Sequence, residues 1–336
     1  MRLVRALRGQ FSVRKLNRRW RQMQALIKAS EKSGPRWTVQ VGTVLLCVVL
    51  FVYAYSNTLS AGYGPLAPSS PQHMHVLVTG CAGFIGSHAS LRLLEDGHAV
   101  TCVDNFSRGN KGAVRAVKKA AKPGRFQFVE ADLGHYHEVE SIFKSTQVDL
   151  VVHFAAVAYV GESMANPVQY YHNITANTVH VVKAMQAADV RRLIYSSTCA
   201  TYGNPEILPI TELTPTLPIN PYGKAKLAAE QVVRDYAASN PDFKAAVLRY
   251  FNVYGADPAG RLGEYPQPEL RSQGRISGAC FDAALGFIDS LTIMGTQFPT
   301  RDGTCVRDYV HVTDLVDAHV TVAGHPSHPP PPSSLS

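Results

Sequence analysis

HVLVTGCAGFIGSHASLRLLEDGHAVTCVD, residues 75–104, decides the fold. Its first six residues are a short apolar run ending in Gly80. The following CAGFIGSHASLRLLEDG returns apolar residues at helical spacing. Gly80, Gly83 and Gly86 stand at the boundary, so the spacing predicts a glycine-rich turn between a strand and a helix amino terminus. Free backbone N–H groups and the helix dipole attract a pyrophosphate there. The strand AVTCVD (99–104) follows and ends in Asp104, 24 residues after Gly80. A carboxylate at that distance accepts from adenosine ribose hydroxyls and repels a 2′-phosphate, which favours NAD over NADP. Arg108 is a partial counterweight to that preference.

The pattern continues outward. FQFVEADL (126–133), VDLVVHFAA (148–156), RRLIYSST (191–198) and FKAAVLRYFN (243–252) read as further strands. Helical patterns over 168–188 and 221–239 separate several of them. Alternating β and α units predict an α/β fold with a doubly wound, mostly parallel, Rossmann-like sheet, with ligands at the carboxyl ends of its strands. Residues 105–125 are basic with weak apolar periodicity, which predicts a solvated loop and helix near the adenosine end.

The amino terminus has another character. Residues 1–37 hold eleven Lys or Arg against one acid, Glu31, whereas the other 299 residues carry 22 basic and 24 acidic side chains. The body is nearly neutral, which argues against a nucleic-acid reader. TVQVGTVLLCVVLFVYAY (38–55) has no charged residue. Its length approaches that needed to span a bilayer core, and Tyr53 and Tyr55 suit an interface. The expectation is a basic cytosolic tail (1–37), one transmembrane anchor helix (38–55) and a Gly/Pro/Ser-rich linker (56–73). The basic flank would place the body in a lumen. The six cysteines form no C-x-x-C pair, and His319, His325 and His328 lack ligand spacing, so no metal is expected. Asn173-Ile174-Thr175 is a formal glycosylation sequon inside a helical pattern, where poor use is expected.

The chemistry lies further along. Tyr222 and Lys226 form Y-x-x-x-K at the start of the 221–239 helix, with Pro221 suited to its first turn. Four-residue spacing puts both on one face. A cation there should lower the tyrosine pKa toward neutral proton exchange. The pair follows a strand ending in Ser196, Ser197 and Thr198.

TGCAGFIG, DNFS, HFAAVAYVGES, SSTCATYG, PYGKAK and RYFNVYG together resemble the extended short-chain dehydrogenase/reductases, specifically the nucleotide-sugar 4-epimerases, from about His75 to about Val320. The resemblance implies NAD as cofactor, a UDP-sugar as substrate and a homodimer. Tyr222, Thr198 and Lys226 would be catalytic. Gly80, Gly83, Phe84, Ile85, Gly86, Asp104, Asn105, Asp132, Leu133, Phe154, Ala155, Ala156, Tyr222, Lys226 and Tyr250 would bind the cofactor. Thr198, Tyr222, Phe251, Asn252 and Arg307 would face the substrate, the guanidinium fork suiting a diphosphate. Cys199 and Ala200 occupy positions where related dehydratases and decarboxylases carry an acid, which argues against both reactions. Ala158 replaces a lysine usual in hexose epimerases. That favours the UDP-xylose/UDP-arabinose pair over UDP-glucose/UDP-galactose.

The resemblance also implies residence in the Golgi membrane, with domains at 74–255 (NAD-binding) and 256–323 (a partial substrate-binding region). Residues 324–336 form a Pro/Ser-rich tail unlike the family, whose members continue further. The contrasting expectation is therefore an inactive, membrane-anchored protein that binds NAD or acts as a partner.

Overall fold

The computed structural model describes residues 73–324 apart from 274 and 294. The expected linker, apart from residue 73, and the Pro/Ser-rich tail beyond residue 324 lie outside that range. Among the described residues no helix is long and apolar enough to cross a membrane. This corrects the expectation of a transmembrane anchor and, with it, of single-pass Golgi residence. The segment 38–55 itself lies outside the described residues.

Six strands form one parallel sheet: β1 (His75–Thr79), β2 (Ala99–Asp104), β3 (Phe126–Glu130), β4 (Leu150–His153), β5 (Arg192–Ser196) and β6 (Lys244–Leu248). Their order is β3-β2-β1-β4-β5-β6, and every pairing is parallel. All six expected strands are present. The inner strands are buried on both faces, as a covered parallel sheet requires. Leu77, Val151, Leu193 and Tyr195 face one core. Val76, Val78, Leu150, Val152 and Ile194 face the other.

The first core is closed by α3 (Tyr136–Ser145), α6 (Asn177–Ala187) and α7 (Pro221–Ser239), through Val139, Ile142, Val181, Ala225 and Val233. The second is closed by α1 (Phe84–Glu95), α2 (Lys111–Ala120) and α9 (Val312–Gly324), through Leu91, Val117, Val312 and Leu315. Two short helices, α4 (Val160–Ala165) and α5 (Pro167–Tyr170), precede α6, and a π-turn at Tyr171–Ala176 joins them to it. The segment 105–125 contains α2, whose Asn110 side chain caps it by accepting from Gly112 N at 2.6 Å.

Outside the main sheet, β7 (Asn252–Tyr254) pairs in parallel with β8 (Tyr309–His311). The chain between them carries α8 (Ile276–Ala284), none of whose described residues is buried. The strand order reverses between β1 and β4, and a cleft opens at the carboxyl ends of these strands.

Candidate active site

One wall of the cleft is the glycine-rich turn. Gly80 has φ +70°, and a Cβ there would lie 2.6 Å from the Ala155 nitrogen. Gly86 is tighter still, since its Cβ would meet the Gly80 oxygen at 2.3 Å. Gly80 must be glycine for the turn to pass this close to the chain after β4, and Gly86 for α1 to pack this close onto the turn. The turn is pinned by Gly80 N donating to Val103 O (2.8 Å) and Gly83 N to Gly80 O (3.1 Å). The N-cap residue of α1, Gly83, offers no side-chain cap, and the first turn holds no acid. The early N–H groups of α1 therefore remain available to an anion. Asp104 accepts from Ala82 N (3.0 Å) and Phe106 N (2.8 Å), tying the turn to the loop after β2. Burial pushes its carboxyl pKa up, with those two N–H groups opposing. Asn105 Nδ2 donates to Asp132 at 2.9 Å, which joins the ends of β2 and β3. Arg108 is already engaged with Glu162 at 2.5 Å and lies over the Tyr159 ring. It leaves the preference set by Asp104 largely intact.

The other wall carries the hydroxyls. Asn220 caps α7 by accepting from Gly223 N at 2.8 Å, and Pro221 occupies the first turn. This capped start presents Tyr222 to the cleft and, one turn later, Lys226. Lys226 is buried, and its Nζ donates to the Ser196 carbonyl at 2.7 Å. Thr198 caps a short 3₁₀ turn by accepting from Ala200 N at 3.1 Å, and its hydroxyl lies beside the Tyr222 phenol. Ser196 and Tyr250 share a short hydroxyl–hydroxyl hydrogen bond.

The cleft has a volume of about 840 Å³. Every residue assigned from the sequence to catalysis, cofactor or substrate, from Gly80 after β1 to Arg307 before β8, lines it. No group of side chains fit to hold a metal ion occurs among the described residues.

One electrostatic expectation is reversed. Burial raises the Tyr222 pKa, and the groups opposing it are the Thr198 hydroxyl and the Arg275 guanidinium. Lys226 is not among those opposing groups; burial brings its own pKa down to about 7, with Glu230 opposing. Arg275 is a cleft residue that sequence reasoning missed. It sits at the amino end of α8, 3.0 Å from Glu264 and over the Phe84 ring at 5.5 Å. Nothing local marks it, because its place depends on how the 255–308 segment returns over α1. Ser196 was passed over as strand ending, although its proximity to Thr198 was a usable signal. The sequon residues are committed elsewhere: Asn173 accepts from Val157 N at 2.8 Å, and the Thr175 hydroxyl donates to Ala225 O at 2.9 Å.

A doubly wound sheet with a glycine-rich turn, an acid ending β2 and a Tyr/Lys/Thr set in one cleft defines a dinucleotide-dependent enzyme of the Rossmann class. The family described as "NAD dependent epimerase/dehydratase family" matches residues 76–335, and the chain belongs to it. The chain is 57% identical over 285 residues to probable UDP-arabinose 4-epimerase 3 of Oryza sativa subsp. japonica, covering 83% of this chain and 70% of that protein. It is 61% identical over 251 residues to UDP-arabinose 4-epimerase 1 of Arabidopsis thaliana, covering 74% of this chain and 60% of that protein. Among solved structures it resembles UDP-glucose 4-epimerase from Bifidobacterium longum in complex with NAD⁺ and UDP (TM-score 0.71, 38% identity, 75% of each chain). It also resembles the enzyme from Stenotrophomonas maltophila with bound NAD and formylated UDP-arabinopyranose (TM-score 0.69, 37% identity, 74% of this chain and 73% of that one).

Proposed function

We propose that the chain is an NAD-dependent UDP-sugar 4-epimerase acting on the UDP-xylose/UDP-arabinose pair. The observation that carries this is the convergence of Tyr222, Thr198 and Lys226 on the cleft that also holds the glycine-rich turn and Asp104. The residues fit NAD. The uncapped start of α1 suits a pyrophosphate, the Asp104 carboxylate suits an unphosphorylated ribose, and Phe154, Ala155 and Ala156 make an apolar floor. NAD, when bound, supplies a reversible hydride acceptor for C4 of the sugar.

The chain's own residues handle the proton and the geometry. Tyr222 acts from its phenolate form, which burial disfavours and the Thr198 hydroxyl and Arg275 guanidinium favour; it takes the proton of the 4-hydroxyl as the C4–H bond gives up its hydride, leaving a 4-keto sugar. After the sugar turns over, Tyr222 returns the proton to the oxygen when hydride reaches the other face. Thr198 hydrogen-bonds that oxygen in both positions. Lys226 keeps a cation close to the ribose side of the site. Asn252 and Arg307 line the cleft where a diphosphate would be held. Cys199 and Ala200 supply no acid beside Thr198, so loss of water or carbon dioxide from the keto sugar is not catalysed.

The chain spans 60–73% of the length of the curated plant relatives it matches. Activity of this chain as it stands is therefore part of the proposal. Incubation of the full chain with UDP-xylose and, separately, UDP-glucose, with the 4-epimers resolved by chromatography, tests it. Conversion of UDP-xylose supports the pentose assignment, and conversion of UDP-glucose alone would replace it with the hexose reaction. Bound NAD without turnover of either sugar would instead indicate an inactive NAD-binding protein.

A homodimer is part of the same proposal. Val160 and Met164 on α4, Val168 on α5, Tyr171 in the π-turn and Val179 on α6 are exposed apolar side chains on consecutive elements. Exposed apolar surface of that kind suits association between copies of the chain. Light scattering after size exclusion should give twice the 36.6 kDa chain mass. A monomer would remove this part alone.

A further inference from the structure

Behind Tyr222 and Lys226 lies a buried charge that the chemistry above does not use. Glu230, one turn after Lys226 on α7, is fully buried. Its carboxylate accepts from the Ser197 hydroxyl (2.5 Å), Arg249 Nε (2.8 Å), Arg249 Nη2 (2.6 Å) and Arg234 Nη2 (2.8 Å). Arg249 in turn stacks on Tyr202 at 4.8 Å. Burying a carboxylate is strongly unfavourable unless its hydrogen bonds are complete, and these are. The contacts join three elements. Ser197 follows β5 and sits between Ser196, whose carbonyl receives Lys226, and Thr198, which lies beside Tyr222. Arg249 follows β6 and precedes Tyr250.

Among the described residues Lys226 makes no direct ion pair. Besides the Ser196 carbonyl it faces the Tyr195 ring at 5.0 Å. His153 on β4 is buried and held neutral, its pKa driven to about 3 by burial and by Lys226 itself. The phenols of Tyr195, Tyr222 and Tyr250 are pushed further from ionisation by burial. Tyr170, 6.3 Å from the Tyr222 ring, likewise stays neutral. The anion on the same helix face is Glu230.

We propose that Glu230 is a positioning residue: it locks the ends of β5 and β6 to α7 and supplies the negative charge that lets Lys226 stay protonated in a desolvated cleft. The proposal rests on Lys226 belonging to the site described above. Its test needs neither cofactor nor turnover, so the two can fail separately.

The experiment follows the ¹⁵N shift of Lys226 Nζ against pH in the ligand-free chain, assigned by its loss in Lys226→Met. The midpoint should fall near 7 in the unaltered chain. Glu230→Gln removes the charge at constant shape and should move the midpoint toward acid by about one pH unit. Arg234→Gln, at a half-exposed arginine, removes a cation that neutralises Glu230. It should move the midpoint the other way by a few tenths of a unit. A role confined to packing would lower the melting temperature and leave both midpoints where they were, and that result overturns the proposal. Should Glu230→Gln fail to fold, the alkaline shift in Arg234→Gln decides alone, and its absence is equally fatal.

Discussion

Divided along the chain rather than across the cleft, the wall built by residues 75–248 and the wall built by 250–308 follow different rules. In the first, Val76, Val100 and Val151 are wholly buried, and Gly80 and Gly86 leave no room for a methyl group. In the second, Phe281, Leu285 and Phe287 are each more than 60% exposed. Val253 and Leu262 anchor it in the second core, Arg261 pairs with Glu95 (2.6 Å) and Gln267 reaches the Phe106 and Gly109 carbonyls, while the Arg271–Asp282 and Arg275–Glu264 pairs brace it internally. Burial supplies the first wall with most of its stability, roughly 25 cal/mol for each Å² of apolar surface. Partly exposed ion pairs supply far less. The first wall is thus the more firmly packed, and the α8 part of the second is held by fewer buried apolar contacts.

The largest expected effect sharpens the chemical side of this contrast. Tyr222→Phe should lower UDP-sugar turnover by about 10²- to 10⁴-fold while NAD affinity and melting temperature stay unchanged. An equal loss of NAD binding would show that the phenol acts through cofactor binding and not through proton transfer.

Next come paired truncations, one in each wall. Leu193→Ala in β5 should cost about 2–5 kcal/mol in urea unfolding. Phe281→Ala in α8 should stay within about 0.5 kcal/mol. Equal losses would break the comparison, because they would mean α8 is packed against something in solution.

Acid provides a third probe. The pKa of His153 is held near 3 in the folded chain, well below its ordinary 6.5, by burial first and Lys226 second. As pH falls below 6.5 the unfolded chain takes up the proton and the folded chain does not. The stability His153 contributes is thus complete above 6.5 and is lost progressively toward 3. Between pH 6.5 and 5 the loss should approach about 2 kcal/mol, and His153→Gln should flatten that part of the profile. A profile of unchanged slope would place the acid sensitivity elsewhere.

The last test is one substitution made twice. Gly86→Ala forces a Cβ against the Gly80 oxygen and should destabilise by about 1–3 kcal/mol. Gly278→Ala in α8 meets nothing within 4 Å and should stabilise by about 0.5–1 kcal/mol, through helix propensity. The same sign at both positions would contradict the difference between the walls.

The first wall was also the legible one. Strand boundaries, the glycine turn and the Y-x-x-x-K helix all rest on local periodicity and capping, which the sequence carries within a few residues. Tyr222, Thr198 and Gly80 could therefore be named without coordinates. Arg275 could not, since its place in the cleft depends on a segment of about fifty residues returning over α1. Glu230 stood in plain view at helical spacing after Lys226. Its significance appeared only when Arg249 and Ser197 were brought against it from two strand ends.

Some expectations needed correction for a related reason. The pKa of Tyr222 was expected to fall because a lysine lies one turn away. Spacing reports that neighbour but not the desolvation of both groups, and desolvation is the larger effect. Likewise, an apolar run at 38–55 satisfies a length criterion, yet the described residues contain no helix able to cross a membrane.

By itself the sequence determined the six strands of the main sheet, the dinucleotide turn and the residue types of the site, because backbone sterics and hydrophobic period act over short distances. Tertiary structure alone decided which hydroxyls meet, which charges are buried, and in which direction Tyr222 and Lys226 titrate. Those properties depend on solvent exclusion and on contacts between residues far apart in the chain.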